Sequence, residues 1–185
     1  MPEHVLLLNQ QPDRPLTIDE YRQFGGYEAL SMALAKLQPH DVTKMVLDSG
    51  PRGRGGAGFP AGKKWSFMGK AEPRYIVPNT DEMEPGTFKD RVLVNANPHL
   101  VIEGIILSAY AIGASHGISF IRPSYALDAE LLERELRVAR EAGLLGKNIL
   151  GSNFSFDLIV HRSAGRYICG EASAQVNAIM GKRAH

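Results

Sequence analysis

The sequence predicts an α/β fold with a short parallel sheet and a helical amino-terminal segment. Three observations lead there. Hydrophobic residues make up 44% of the 185 positions and charged residues 22%, the balance of a chain with a packed core. Short strand-like runs alternate with longer helical ones through the second half. Helices of that length between strands imply parallel β-α-β units with right-handed crossovers.

Residues 1–20 read as an extended arm, with Pro12 and Pro15 flanking Asp13 and Arg14 and no periodicity. The four-residue apolar run Val5–Leu8 has no basic stretch before it, so it does not read as a secretory leader. Residues 21–185 read as one α/β domain. Tyr27–Leu37 places Leu30, Ala33, Leu34 and Leu37 at helical spacing. Gln38-Pro39 breaks it, and Asp41 can cap a second helix that stops before Gly50. Tyr75–Val77 is the first expected strand, Leu100–Ala114 an apolar helix after Pro98, and Ile118–Ile121 the second strand. Leu127–Ala142 turns Leu131, Leu132, Leu136 and Ala139 inward and Glu130, Glu133, Arg134 and Arg137 outward. Gly143 ends it. Phe156–Val160 is the third strand, and Glu171–Met180 a last helix.

The net charge of +1 gives no reason to expect attraction to nucleic acid or to an anionic membrane. The apolar stretch near Ile105–Ala114 is far short of the ~20 residues that span a bilayer, so no direct membrane insertion is expected. Cys169 is the one cysteine, which rules out a disulfide or a four-cysteine cluster within this chain.

Six glycines lie from Gly50 to Gly62. Gly53, Gly55 and Gly58 satisfy G-x-G-x-x-G, and Asp81 follows 23 residues after Gly58. A dinucleotide fingerprint needs a strand before the glycines. Asp41–Ser49 has helical spacing instead, and Phe59-Pro60-Ala61-Gly62 is no uninterrupted helix start. A phosphate cradle remains the expectation, because clustered glycines let backbone N–H groups converge on an anion. Arg52, Arg54, Lys63 and Lys64 add charge, and Phe59, Trp65 and Phe67 could flank a nucleobase.

Asn79, Asp81, Glu82 and Glu84 follow the first strand, where α/β sheets bind ligands. Their side chains suit ribose or ribityl hydroxyls and the N–H edge of a ring. A solvated acidic turn and a divalent-metal site are the alternatives. After the third strand, Gly170 and Glu171 open a helix. Cys169 has no evident histidine partner, and His99 and His161 read as structural.

Five blocks in order resemble one family: RGRGGAGFPAGKKWSF (52–67), NTDEMEPGTFKDR (79–91), PHLVIEGIILSAYAIGA (98–114), AGLLGKNILG (142–151) and AGRYICGE (164–171). They look like the flavoprotein subunit of respiratory complex I, an NADH-quinone oxidoreductase. They are also similar to the diaphorase subunits of NAD-linked hydrogenases and formate dehydrogenases. The resemblance implies an atypical Rossmann-like FMN-binding domain, with NADH against the flavin. By motif, FMN would meet Gly53, Gly55, Lys64, Asn79, Asp81 and Glu82, then Tyr167, Gly170 and Glu171. NAD(H) would meet Arg54, Gly56, Ala57, Gly58 and Phe59, then Gly62, Phe67 and Glu84. Hydride transfer is then the work of FMN, with no catalytic side chain and no metal ligand in this chain. Ala172 stands where the family has a second glutamate. The family continues past this region into ubiquitin-like and iron–sulfur domains, so the chain corresponds to an amino-terminal part and a 4Fe–4S cluster is expected only beyond it. The implied partners are other peripheral-arm subunits, above all a thioredoxin-like subunit with a 2Fe–2S cluster. The implied place is the cytoplasmic face of the inner membrane, reached through the complex. A diaphorase subunit or an inactive binding remnant are the rival readings.

Overall fold

The computed structural model describes residues 5–7, 9–11, 13–69 and 71–185. Its sheet is built on β3 (His116–Ile121). β4 (Asp157–Arg162) runs parallel along one edge of it, from His116↔Asp157 to Ile121↔Arg162. The other edge carries two short strands, β1 (Tyr75–Ile76) and β2 (Asn79–Thr80), also parallel. They are one strand interrupted at Val77-Pro78. Tyr75 pairs with His116 and Asn79 with Phe120, and the Pro78 carbonyl still accepts from the Phe120 N–H at 2.9 Å. Proline has no N–H to give to β3 there, and the ladder lapses at that point. The offsets match on both sides of β3: 116 − 75 = 41 and 157 − 116 = 41.

Two helices, α5 (Lys89–Ala96) and α6 (Pro98–Ile112), connect β2 to β3, and α7 (Ala126–Glu141) connects β3 to β4. Ile102, Ile106 and Ala109 of α6 and Leu132, Leu136 and Ala139 of α7 are buried with Phe156 and Leu158 in one core. Gly117 is small because it must be: a Cβ there would lie 2.6 Å from the Phe156 ring. The opposite face of the sheet is more open. Tyr75 and Ile159 are 51% and 55% exposed, while the Phe120 and His161 rings stack at 5.4 Å. Among the described residues no single helix is long and apolar enough to cross a membrane.

The amino-terminal helices are α1 (Ile18–Gln23), α2 (Glu28–Lys36), α3 (Pro39–Ser49) and α4 (Ala61–Ser66). α1 begins inside the segment expected to be an arm. Thr17 and Glu20 form a capping box that starts it, and Leu16 just before is buried. Residues 1–4, 8 and 12 of the expected arm lie outside the described residues. Asp41 does cap α3, but from the helix's third position: its carboxylate accepts the Gln38 N–H at 2.8 Å, and Pro39 opens the helix. α4 and α5 are additions to the elements expected from the sequence. α4 follows Pro60 directly, so the glycine loop does run into a helix. Asn79–Thr80, expected as loop, is strand.

A buried carboxylate fastens α1 and α2 to α6. Glu103 accepts from the Tyr27 N–H at 2.8 Å, the Leu30 N–H at 3.1 Å and the Tyr21 hydroxyl at 2.5 Å. Tyr27 sits at φ +66°, a left-handed conformation uncommon for a bulky residue. Two bonds hold it there, the one to Glu103 and one between its hydroxyl and His99 Nδ1 at 2.8 Å. His99 Nε2 meets Glu135 at 3.1 Å, and Arg134 holds the other Glu135 oxygen at 2.8 Å.

Burial pushes the His99 imidazole below its ordinary pKa, against the pull of Glu135. A histidine whose folded pKa is depressed contributes stability that is full above the unfolded value of about 6.5 and is lost as pH falls. His99→Gln should cost about 1–3 kcal/mol near neutral pH by leaving buried partners unpaired. It should also flatten the loss of stability on acidification. Denaturant unfolding of both proteins at neutral and mildly acidic pH tests this, and parallel pH profiles would remove the titrating role of His99.

Candidate functional site

The carboxyl ends of the parallel strands gather one group of polar side chains. The acidic loop leaves β2, the 122–125 turn leaves β3 and the 163–170 segment leaves β4. Asp81 is buried, with 8% of its surface exposed. Its Oδ2 accepts from the Ser163 hydroxyl at 2.9 Å, and its N–H donates to Asn79 Oδ1 at 2.9 Å. Its Oδ1 is buried with no hydrogen-bond partner. Burial raises the Asp81 carboxyl above its ordinary pKa, and the Ser163 bond and the Arg122 charge oppose that rise.

Glu82 is used differently. Its Oε1 takes Lys89 Nζ at 3.3 Å and the Asp90 N–H at 3.2 Å, and its Oε2 takes the Tyr125 hydroxyl at 3.2 Å. Its carbonyl takes Arg122 Nη1 at 2.6 Å. Arg91 and Arg122 each lie 5.7 Å from the Tyr125 ring centre. Glu82 therefore anchors the acidic loop to α5 and to the start of α7. Glu84 points to a third partner, the Tyr167 hydroxyl, at 2.6 Å. The three carboxylates diverge. Among the described residues no three His, Cys, Asp or Glu side chains group as a metal site.

Tyr167 and Gly170 lie in a 3-10 turn, Tyr167–Gly170, that leads into α8 (Ala172–Ile179). Glu171 caps α8, accepting the Ser173 and Ala174 N–H groups at 2.9 and 3.0 Å, and the Ser173 hydroxyl as well. The Ser173 hydroxyl and these N–H groups hold its carboxyl below the usual carboxylate range. Ala172 follows as the first residue of α8. Cys169 is buried, and burial pushes its thiol pKa up, away from nucleophilic use.

The glycine loop forms the second group. It is a hairpin closed at its base by Gly53 N–H to Phe59 O and Ala61 N–H to Pro51 O, both 2.9 Å. Gly53, Gly55, Gly56, Arg54 and Ala57 are exposed, and Gly56 and Gly58 sit at φ +109° and +61°. Arg52 donates back to the Gly58 carbonyl at 3.3 Å. Gly62 is buried for a packing reason: a Cβ there would lie 2.6 Å from the Leu47 backbone of α3. Lys64 is exposed on α4. Phe59 and Phe67 form an exposed pair with ring centres 6.2 Å apart. Among the described residues no hydrogen bond joins this loop to the acidic loop.

Ser163, Tyr125, Lys89 and Asp90 join the site although the sequence reading does not single them out. Tyr125 and Ser163 follow the ends of β3 and β4, and that position is the signal that points to them.

The chain is 49% identical over 186 residues to the F subunit of the NADH-quinone oxidoreductase of Escherichia coli (strain K12), covering 98% of this chain and 42% of that protein. It is 48% identical over 183 residues to the corresponding protein of Aquifex aeolicus (strain VF5), with 98% and 43% covered. The chain thus spans about two fifths of the length of these relatives. Among solved structures, an NAD+-reducing NiFe-hydrogenase in the H2-reduced state superposes with a TM-score of 0.73 at 34% identity, covering 93% of this chain and 29% of that one. The orphaned Asp81 acceptor and the open glycine hairpin suit a phosphorylated, hydrogen-bonding cofactor. Residues 46–185, both loops included, match the Nuo51 FMN-binding domain, and the chain belongs to that family.

Proposed function

We propose that this chain forms the FMN- and NADH-binding part of an NADH:quinone oxidoreductase of the complex I type. The observation that carries the reading is Asp81 Oδ1, a buried acceptor without a protein partner in a chain of an FMN-binding family. The Gly55 N–H and the Lys64 ammonium, both on exposed residues, would hold the phosphate, with Gly53 closing the base of the hairpin that presents them. Asn79, Asp81, Gly170 and Glu171 would face the ribityl chain and ring. Glu82 supports the reading by fixing the loop, since both of its oxygens are engaged by protein groups. Phe59 and Phe67, with Arg54, Gly56, Ala57 and Gly58 beside them, would receive NAD(H), and Glu84 would accept a hydrogen bond from it. FMN, when bound, would supply the redox chemistry, accepting a hydride from NADH and passing electrons singly to iron–sulfur clusters, among them the 4Fe–4S cluster that the family carries past this region. A thioredoxin-like 2Fe–2S partner and a cytoplasmic, membrane-peripheral setting are part of the same proposal and rest on the resemblance alone. The higher identity to the NADH-quinone oxidoreductase proteins, 49% against 34% for the hydrogenase chain, favours the quinone-linked enzyme over a diaphorase.

Titration of the purified chain with FMN, followed by anaerobic addition of NADH, tests the reading through flavin fluorescence and then bleaching of its visible absorbance. Lys64→Ala should weaken FMN binding about tenfold, as a lost charged hydrogen bond does. Riboflavin, without the phosphate, should bind both proteins equally; an equal loss for both ligands would move Lys64 away from the phosphate. Glu84→Gln should raise the NADH concentration needed for half-bleaching roughly five- to hundredfold, for about 1–3 kcal/mol of lost charged hydrogen bonding, and leave FMN affinity nearly unchanged. Equal losses of FMN and NADH would show Glu84 to be a flavin contact.

A further inference from the structure

The 163–170 segment and the acidic loop are held together by two side-chain bonds among the described residues. One is the exposed Tyr167–Glu84 pair, and the other is the Ser163–Asp81 pair, with both members at least nine-tenths buried. Ser163 is itself fixed on three sides. Its N–H donates to the Ile121 carbonyl at 2.8 Å, continuing the β3–β4 ladder, and its Oγ accepts the Gly165 N–H at 3.0 Å. With one lone pair occupied by Gly165, the hydroxyl proton is directed to Asp81 Oδ2. Oδ2 is therefore held by a group at the end of β4, the strand on the far side of β3. Oδ1 is the oxygen left over, and it is buried without a partner.

An acceptor in that state is costly to leave unpaired and gains most from an arriving donor. The outer Tyr167–Glu84 bond is exposed to water, so parting the two segments at their rim to admit a ligand breaks little. We infer that Ser163 is a positioning residue of the cofactor site: it holds the Asp81 carboxyl group turned so that Oδ1 accepts a hydrogen bond from an N–H or O–H donor of FMN. This rests on the proposed FMN site and adds to it a residue outside the two ligand loops. The groups facing Asp81 besides Ser163 are the Arg122 guanidinium and the Cys169 thiol, and Arg122 acts on the carboxyl in the same direction as Ser163.

The test is a carbon-13 carboxylate NMR titration of Asp81 in the flavin-free chain, paired with FMN binding measured by fluorescence quenching over the same pH range. Ser163→Ala should raise the Asp81 titration midpoint and weaken FMN binding roughly three- to tenfold near neutral pH, the loss of one buried hydrogen bond. Ser163→Thr, which keeps the hydroxyl, should restore both. An unchanged midpoint in Ser163→Ala overturns the positioning role. A raised midpoint with unchanged FMN affinity overturns the ligand role of Oδ1. If the unaltered chain binds no FMN, the proposed cofactor site fails, and the NMR titration still decides whether Ser163 sets Asp81.

Discussion

Helix α6 is the spine of this fold, and its burial depends on one charge being fully satisfied. Strands, α7 and the amino-terminal helices all lie against it. Its apolar residues could be covered from several sides, but Glu103 in their midst could not be left unpaired at a cost of several kcal/mol. The α1–α2 turn supplies the remedy with two backbone N–H groups and the Tyr21 hydroxyl. To reach Glu103 the chain bends so tightly that Tyr27 takes a left-handed backbone, and Gly26 leaves room for the Tyr21 ring. One carboxylate thereby decides where the first helices sit. α3 and α4, which carry the glycine hairpin, reach α6 through apolar contacts of their own.

The readable parts of the fold are those with long periods. α7 repeats its apolar face over sixteen residues, and Leu131, Leu132, Leu136 and Ala139 are all buried. The apolar run of α6 and the parallel order of the strands are equally plain. The helices that escape notice are short: α1 and α4 have six residues each and α5 eight, too few turns for a period to show. α1 does carry a signal in Thr17 and Glu20, whose capping spacing outweighs the prolines before it. Tyr27's backbone is not legible at all, because it follows from a partner 76 residues away.

At the site, position is legible and direction is not. The acidic loop falls after the first strand, where an α/β sheet binds its ligands, and the structure puts it there. Three carboxylates in four residues, Asp81, Glu82 and Glu84, look interchangeable in the sequence. Each instead meets a different element: the end of β4, the α5–α7 corner and the turn before α8. Most of those partners come near only through tertiary folding, with Tyr125 at a separation of 43 residues, Ser163 at 82 and Tyr167 at 83. No local pattern distinguishes an aspartate that keeps one oxygen free from a glutamate that spends both.

The equal offsets across β3 bear on how such a chain reaches its structure. Every strand pair in this sheet closes a loop of 41 residues, and none is a hairpin. Loop-closure entropy is then spent before any ladder bond returns it. Parallel pairings over that separation form slowly beside the local contacts within α6 and α7. A nascent chain emerging from the ribosome would hold β1 and β2 unpaired until β3 had been made, and β3 half-paired until β4 followed. Exposed strand edges in that interval are natural targets for chaperones, and the proline at position 78 blunts the edge that waits longest.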